Sequence, residues 1–115
     1  SIKINNSKLC MDFVHINDLV DGISKIMKYL DQLTKNVFDI FSIGSGRNIT
    51  LFDLATLIIQ ETNSKSNLII RSSNLLPDEI IDIDRSARLL NYKPKTSLHE
   101  GIRSTIYQLQ NTIIR

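Results

Sequence analysis

The sequence predicts a small mixed α/β domain of about three short strands and about four helices, in the order β-α-β-α-β-α-α. Short β-favouring runs alternate with segments in which apolar residues recur every three or four positions, the spacing of an amphipathic helix. The run Val37–Ile43 is nearly all apolar, which is typical of a strand that a parallel sheet buries on both faces. The 115 residues suit one domain and are too few for two.

The first strand and the first helix are predicted before residue 32. Phe13–Ile16 is a β-favouring run, and Asn17 after it is a favourable helix N-cap. The apolar positions that follow recur at helical spacing, and they are Leu19, Ile23, Ile26, Met27 and Leu30. We therefore expect an amphipathic helix over residues 17–31.

The second strand, the second helix and the third strand follow in turn. Val37–Ile43 is the strongest strand candidate, and the glycines of Gly44–Gly46 end it. Thr50 and Asp53 resemble a capping pair, which predicts that a helix begins there. Asn67–Arg71 is again rich in β-branched residues and predicts a further strand.

A loop and two helices complete the chain. Ser72–Asp78 is predicted as the loop, and Asp84 is placed to cap a short helix. Ser97 and Glu100 form the S-x-x-E capping box of the last helix. A small sheet with one doubly buried strand is poorly self-sufficient, so we expect something outside this chain to cover apolar surface on Val37–Ile43.

The composition excludes several classes of function. The net charge of +2 is too small and too evenly spread to indicate a nucleic-acid partner. No apolar stretch approaches the length of a membrane span, and the N-terminus lacks a signal-peptide core, so no membrane partner is expected. The single cysteine, Cys10, excludes an internal disulfide and a cysteine-based zinc site, which fits a cytoplasmic location. The abrupt start at Ser1 hints that Ser1 is not the natural start.

The sharpest candidate for a ligand site is Gly44–Gly46, which follows a predicted strand and precedes a helix. Backbone N–H groups at such a place can hold a phosphate. A dinucleotide-binding fingerprint needs a third glycine where this chain has Ile49, and the acidic ribose ligand expected further on is missing, since the next strand ends in Arg71. We therefore favour a structural turn and predict no cofactor-binding residue in this chain.

No catalytic or metal-binding residue is predicted either. A tyrosine can act as a base near neutral pH when a lysine one helical turn away acidifies it, but none of the three tyrosines has a lysine four residues on. His15 lies between apolar neighbours and His99 falls in a capping segment, so structural or solvent-exposed positions are favoured for both. The acidic residues between Asp78 and Asp84 match no metal-loop spacing.

Three segments, taken in order, resemble the end of the extended short-chain dehydrogenase/reductase family, the NAD-dependent epimerases and dehydratases of nucleotide sugars. Met11–Ile23 is similar to the family's R-D-F-[IV]-[HY]-V-x-D-[LV] stretch. Phe38–Gly46 is similar to the Y-N-[IVL]-G-[ST]-G strand and turn. Asp84–Ile102 resembles the D-x-[ST]-K-A-x-x-x-L-G-[WYF]-x-P…[ST]-L-x-E-G-[IL] ending.

The resemblance implies that residues 1–115 are one C-terminal domain that binds a nucleotide-diphosphate sugar. NAD, its glycine-rich loop and the catalytic Tyr/Lys pair would belong to an N-terminal Rossmann half that this chain lacks. The intact enzyme would oxidise a sugar hydroxyl to a keto intermediate and then epimerise, dehydrate or reduce it. The chain alone would be inactive, its partner would be its own Rossmann half, and a homodimer of the intact protein is left open.

The chain departs from the family pattern at two cationic positions. Met11 and Leu75 stand where relatives often place an arginine against the diphosphate. By resemblance Phe13 and Asp78 line the nucleotide site, and Arg71 is a candidate to compensate for the missing cations. Two other readings stay open: a non-catalytic interaction module or decayed remnant of the fold, and, least favoured, a minimal nucleotide-binding domain built on the glycine turn.

Overall fold

A computed structural model describes residues 1–71, 77–78 and 80–113. Within these residues the elements follow the order β-β-α-β-α-β-α-α, and the predicted mixed α/β class is confirmed. The strands are β1 (Ile2–Asn5), β2 (Cys10–Asp12), β3 (Asn48–Thr50) and β4 (Leu68–Arg71), and the helices are α1 (Ile16–Asp31), α2 (Leu51–Thr62), α3 (Asp84–Leu90) and α4 (Leu98–Ile113).

The described strands form two separate two-stranded sheets. β1 lies parallel to β4, with Ile2 opposite Leu68, and β2 lies antiparallel to β3, with Met11 opposite Ile49. β4 confirms the strand that the sequence predicts over Asn67–Arg71. The strand predicted at Phe13–Ile16 is wrong, because the ladder to β3 ends at Asp12 and the chain then enters α1.

Residues 37–43 do not form the predicted strand. They run from α1 toward the glycine turn, and no backbone hydrogen bond links them to another described residue. A strand needs a neighbouring strand, and the described part of the chain places none beside them. The expected burial on both faces is also wrong for this chain, since Phe38 is 88% exposed and Ile40 is 68% exposed.

The first residues of α1 and α2 can be compared with the helix caps that the sequence predicts. Helix α1 begins one residue earlier than predicted, because the cap is His15 instead of Asn17: the Asn17 N–H donates to His15 Nδ1 at 3.2 Å. Thr50 caps α2 by accepting from the Asp53 N–H at 3.1 Å, as predicted.

The predicted cap of α3 is corrected by the structure, and the predicted capping box of α4 is confirmed. The helix predicted from Asp84 is present, but Asp82 supplies the side-chain acceptor at its start, since its Oδ1 accepts from the Asp84 N–H at 2.9 Å. Asn91 ends that helix in the left-handed conformation, at φ 52°. The capping box of α4 is confirmed, with Ser97 and Glu100 each accepting from the other's backbone N–H at 3.2 Å.

The core of the chain is sparse. Among the described residues the buried large apolar side chains are Ile4, Leu90 and Tyr92. The radius of gyration is 17.5 Å, whereas a compact domain of this length is expected near 13 Å. Many large apolar side chains are exposed instead, among them Phe38 at 88%, Ile80 at 76% and Tyr107 at 69%. None of the described helices combines the length and hydropathy that crossing a membrane requires.

Candidate functional site

The glycine turn is held by the carboxylate of Asp12. Asp12 Oδ1 accepts from the Ser45 N–H and Asp12 Oδ2 from the Gly46 N–H, both at 2.8 Å. Gly46 has a φ of 71°, a conformation that favours glycine, and a Cβ on Gly44 would stand 2.8 Å from Asp12 Oδ2. Both glycines are thus explained by the turn and by the close approach of the aspartate.

This arrangement does not fit the phosphate of a dinucleotide. A phosphate-binding turn offers unoccupied N–H groups to an anion, whereas here the Ser45 and Gly46 N–H groups already serve a carboxylate. A second anion would also meet the negative charge of Asp12 at short range. The turn is structural, and the reading of a minimal nucleotide-binding domain built on it loses its support.

A buried tyrosine closes the turn from the other side. The Tyr92 hydroxyl donates to the Gly44 carbonyl at 2.8 Å, and the side chain is fully buried. Burial raises the pKa of Tyr92 to about 12, and the carboxylates of Asp18, Asp12 and Asp21 act in the same direction. A phenol held neutral in this way is unsuited to act as a base near neutral pH.

Asp18 orders the loop that precedes α4. Its buried carboxylate accepts from the Lys95 N–H at 2.9 Å and from the Thr96 N–H at 3.0 Å. A carboxylate that accepts two backbone N–H bonds is a strong anchor, since hydrogen bonds to a charged group are worth more than neutral ones. Asp12 and Asp18 together position the two loops that face each other across a cleft.

That cleft is the candidate functional site. Its volume of about 320 Å³ falls in the range of small-molecule sites. It combines the aromatic ring of Phe13 with the exposed cationic side chains of Arg47 and Lys95. The lining residues are Phe13, Ser45, Arg47, Asn48, Ile49, Pro94, Lys95, Thr96, Ser97 and Leu98. An aromatic ring beside two cations suits a ligand that carries a planar base and phosphate groups.

A second, more apolar groove of about 420 Å³ is also lined by Phe13, together with residues of α2 and α4. His15 lines it and packs on Gly101, where a Cβ would stand 3.1 Å from the imidazole Cδ2. Gly101 therefore admits the histidine ring against α4. His15 acts as a helix cap and packing residue, in agreement with the structural role favoured for it.

The structure separates the three residues predicted to bind substrate. Phe13 lines the cleft, but neither Arg71 nor Asp78 does. Asp78 Oδ1 accepts from the Cys10 N–H at 3.0 Å, and Arg71 pairs with Asn5 at the end of β4. Their part in binding stays a prediction.

The structure describes one of the two positions at which the chain departs from the family pattern. Met11 lies in β2, directly opposite Ile49, which lines the cleft. Leu75 lies outside the described residues. The sequence interpretation did not single out Arg47 and Lys95, although the position of Arg47 directly after the glycine turn was an available signal.

Glu61 and His99 take part in a contact between α2 and α4. Glu61 of α2 accepts from His99 and, at 2.7 Å, from Arg103 Nε of α4. The hydrogen bonds of Arg103 and then His99 lower the pKa of Glu61. Within the part of the chain that the structure describes, no three histidine, cysteine or acidic side chains come together as a metal site.

Comparison with curated proteins gives relatives among nucleotide-sugar enzymes. The chain is 29% identical over 92 residues to UDP-glucose 4-epimerase of Mycoplasma pneumoniae, covering 77% of this chain and 27% of the epimerase. It is 31% identical over 104 residues to dTDP-4-dehydro-6-deoxyglucose reductase of Escherichia coli, covering 86% of this chain and 30% of the reductase. The chain thus spans less than a third of these relatives. No family model matches it.

Solved structures with the same fold come from similar enzymes. UDP-glucose 4-epimerase of Thermotoga maritima, solved with UDP-glucose, superposes with a TM-score of 0.83 at 23% identity, over 98% of this chain and 36% of the epimerase. dTDP-glucose 4,6-dehydratase of Bacillus anthracis, solved with NAD, superposes with a TM-score of 0.78 at 14% identity, over 95% of this chain and 34% of the dehydratase.

Proposed function

Because the chain has the sequence pattern and fold of the C-terminal part of an extended short-chain dehydrogenase/reductase, we propose that it is the substrate-binding portion of a nucleotide-sugar epimerase, dehydratase or reductase. The matches to such enzymes cover 77% and 86% of the chain, yet the chain spans only 27% and 30% of their length. This observation carries the proposal: the chain is one part of a larger catalyst and is inactive alone.

The cofactor NAD is assigned to the remaining, N-terminal half. The glycine turn of this chain is occupied by Asp12 and does not suit a dinucleotide phosphate. None of its tyrosines has a lysine one turn further along a helix. The NAD loop and the Tyr/Lys pair that oxidise the sugar hydroxyl to a keto group therefore belong to the N-terminal half, and NAD supplies the transient hydride acceptor.

This chain contributes the nucleotide end of the substrate site. The ring of Phe13 offers a face for a nucleobase, and Arg47 and Lys95 offer charge to a diphosphate. These two cations replace the charge lost at Met11 and Leu75, where each missing charged hydrogen bond would otherwise cost about 1.5–3 kcal/mol. Arg71 and Asp78 are retained as a second set of contacts beside the β1–β2 turn.

Calorimetric titration of the native polypeptide and of residues 1–115 tests this assignment. We expect the native polypeptide to bind UDP-glucose or a dTDP-sugar and NAD, and the isolated chain to bind no NAD. Phe13→Ala and Arg47→Ala should each weaken nucleotide-sugar binding about 10-fold or more. Lys35→Ala is the matched control, since Lys35 lines neither cleft and should leave affinity unchanged. Micromolar NAD binding by the isolated chain would contradict the proposal.

A non-catalytic interaction module derived from this fold is the second candidate. Met11 favours it, because a methionine cannot make the bidentate contact of an arginine with a diphosphate. A native polypeptide that binds neither NAD nor any nucleotide sugar would establish this alternative. Size-exclusion chromatography of the same preparation tests whether the intact protein forms a homodimer, which the sequence leaves open, and cell fractionation tests the predicted cytoplasmic location.

A further inference from the structure

The two cationic side chains that line the cleft belong to separate loops. Arg47 follows the glycine turn, and Lys95 lies in the linker between α3 and α4. Both side chains are exposed, and neither forms an ion pair with another residue that the structure describes. Their charges therefore face the cleft without a protein partner among these residues.

The backbone that carries Lys95 is fixed on both sides. Asp18, which is only 4% exposed, accepts from the Lys95 N–H at 2.9 Å and from the Thr96 N–H at 3.0 Å. Pro94 comes directly before Lys95, and its ring restricts the backbone there. Ser97 comes two residues later and opens the capping box of α4. The Lys95 side chain therefore starts from a point that is already ordered before a ligand binds.

The backbone that carries Arg47 is held in a similar way. Asp12 accepts from the Ser45 and Gly46 N–H groups, both at 2.8 Å. The Arg47 N–H donates to Ser45 Oγ at 3.1 Å, and the same hydroxyl donates to the Arg47 carbonyl at 3.2 Å. Each wall of the cleft thus has one cation and one aspartate that anchors its backbone.

Both aspartates use their carboxylate oxygens on backbone N–H groups and not on the cations. The anchors therefore order the two loops without neutralising the side chains that face the cleft. A binding group that is ordered in advance loses less conformational entropy when its ligand arrives. Two cations on separately fixed loops favour a ligand that presents two anionic groups.

We propose that Asp18 is a positioning residue, which fixes Lys95 so that Lys95 and Arg47 together select a diphosphate over a monophosphate. Asp12 has the corresponding role for Arg47. A diphosphate offers one anionic group to each cation, whereas a monophosphate pairs with one cation and leaves the other unused. This inference rests on the proposed function, because it takes the nucleotide end of a nucleotide sugar as the ligand of the cleft.

Calorimetric titration of the native polypeptide with UDP and with UMP tests the selection. We expect the wild type to bind UDP at least about 10-fold more tightly than UMP, since UDP gains a further charged contact. Lys95→Ala and Asp18→Asn should each reduce this ratio of dissociation constants to within about 3-fold. Each should leave the affinity for UMP nearly unchanged, because UMP retains Arg47. A variant that merely disturbed the structure would lose affinity for both ligands.

A double variant tests whether Asp18 acts through Lys95. Asp18→Asn combined with Lys95→Ala should bind UDP no more weakly than Lys95→Ala alone. Glu61→Gln is the matched control: Glu61 also accepts two hydrogen bonds, but it lies outside the cleft, so the ratio should stay that of the wild type. Additive losses of UDP affinity in the double variant would overturn the positioning role. An unchanged ratio in Lys95→Ala would overturn the whole inference, even if Asp18→Asn did not fold.

Inorganic pyrophosphate and phosphate repeat the comparison without a nucleobase. A polypeptide that binds no nucleotide, but prefers pyrophosphate in a way that depends on Lys95 and Asp18, would support this inference and reject the proposed nucleotide-sugar site. Binding of UDP-glucose that Lys95→Ala leaves unchanged would reject the inference while the proposed function stands. A polypeptide that binds none of these ligands would overturn both.

Discussion

At the residue scale, Asp12 connects β2 to the glycine turn through two charged hydrogen bonds. Replacing it by alanine leaves the N–H groups of Ser45 and Gly46 without their acceptor. We expect Asp12→Ala to lower the free energy of unfolding by about 2–4 kcal/mol, which urea denaturation at neutral pH would measure.

Asp31→Ala is the control for that experiment. Asp31 is exposed at the end of α1, and its loss should change stability by less than about 0.5 kcal/mol. An Asp12→Ala variant as stable as this control would show that water replaces the carboxylate at the turn without cost.

The stabilisation that Tyr92 provides is expected to decline in the alkaline pH range. Burial raises its pKa from 10.0 to about 12, so below pH 10 the phenol is neutral in both states and its contribution is complete. Between about pH 10 and 12 the unfolded tyrosine ionises first, and the free energy of unfolding falls by up to about 3 kcal/mol. Tyr92→Phe should be less stable near neutral pH and should lack this decline. Parallel urea titrations that show equal slopes for both proteins would contradict the assignment.

Only part of this residue-level picture could be predicted from the sequence. The family pattern predicts Phe13 at the nucleotide site, and its side chain lines the candidate cleft, while its part in binding stays a prediction. The partners of Asp18 and Tyr92 could not be found, because the Lys95 N–H is 77 residues from Asp18 and the Gly44 carbonyl is 48 residues from Tyr92. Such pairs exist only after packing has brought distant elements together.

At the scale of elements, Glu61 joins α2 to α4. The hydrogen bonds from Arg103 and His99 lower its pKa, so the stabilisation they provide is present above the ordinary carboxyl value of 4.5 and is lost as the pH falls through the lower folded value. We expect the difference in unfolding free energy between the wild type and Glu61→Gln to shrink on acidification. Asp31→Asn serves as the control, and a difference that stays constant from neutral to acidic pH would show that the contact is not ionic.

The contact of α1 with residues 37–43 depends on a glycine. Alanine at position 22 would favour the helix by about 1 kcal/mol, but its Cβ would stand 2.9 Å from two carbons of Ile43. The overlap should outweigh the gain, so Gly22→Ala is expected to destabilise the chain by about 1–2 kcal/mol. Ile43→Ala should relieve the clash, which a double-mutant cycle would detect as coupling between the two sites.

Ser24→Ala, at an exposed position of the same helix, isolates the helix propensity. It should be neutral or slightly stabilising. If Gly22→Ala behaves in the same way, Ile43 moves aside freely and the segment is not fixed against α1.

The elements also show why some structural predictions succeeded. The capping pairs at Thr50 and Ser97 were predictable because both partners lie within three residues of each other. The strand at residues 37–43 was predicted from the apolar content of this run. That content indicates that the segment favours an apolar environment, such as burial in a sheet. The described part of this chain does not supply those surroundings, so the pattern and the observed structure differ where a partner strand is needed.

At the scale of the whole molecule, the radius of gyration of 17.5 Å and the exposed apolar side chains of α1, Ile16, Val20, Ile23, Met27 and Leu30, agree with the proposal that this chain is one part of a larger fold. Two separate two-stranded sheets add little stability of their own, because an isolated pair of strands is marginal in water. Asp12, Asp18 and Tyr92 offset this by fixing loops through side chains. The chain can therefore hold its cleft in shape although few of its described apolar side chains are buried.

Phe38 tests the proposal that another part of the polypeptide covers residues 37–43. Its side chain is 88% exposed here, so Phe38→Ser should change the stability of the isolated chain by less than about 0.5 kcal/mol and reduce its self-association at high concentration. In the native polypeptide the same face should be covered, and the same substitution should cost about 1.5–3 kcal/mol. Denaturation curves and light scattering of both proteins would measure this. Equal effects in the two proteins would mean that no other part of the polypeptide covers this face.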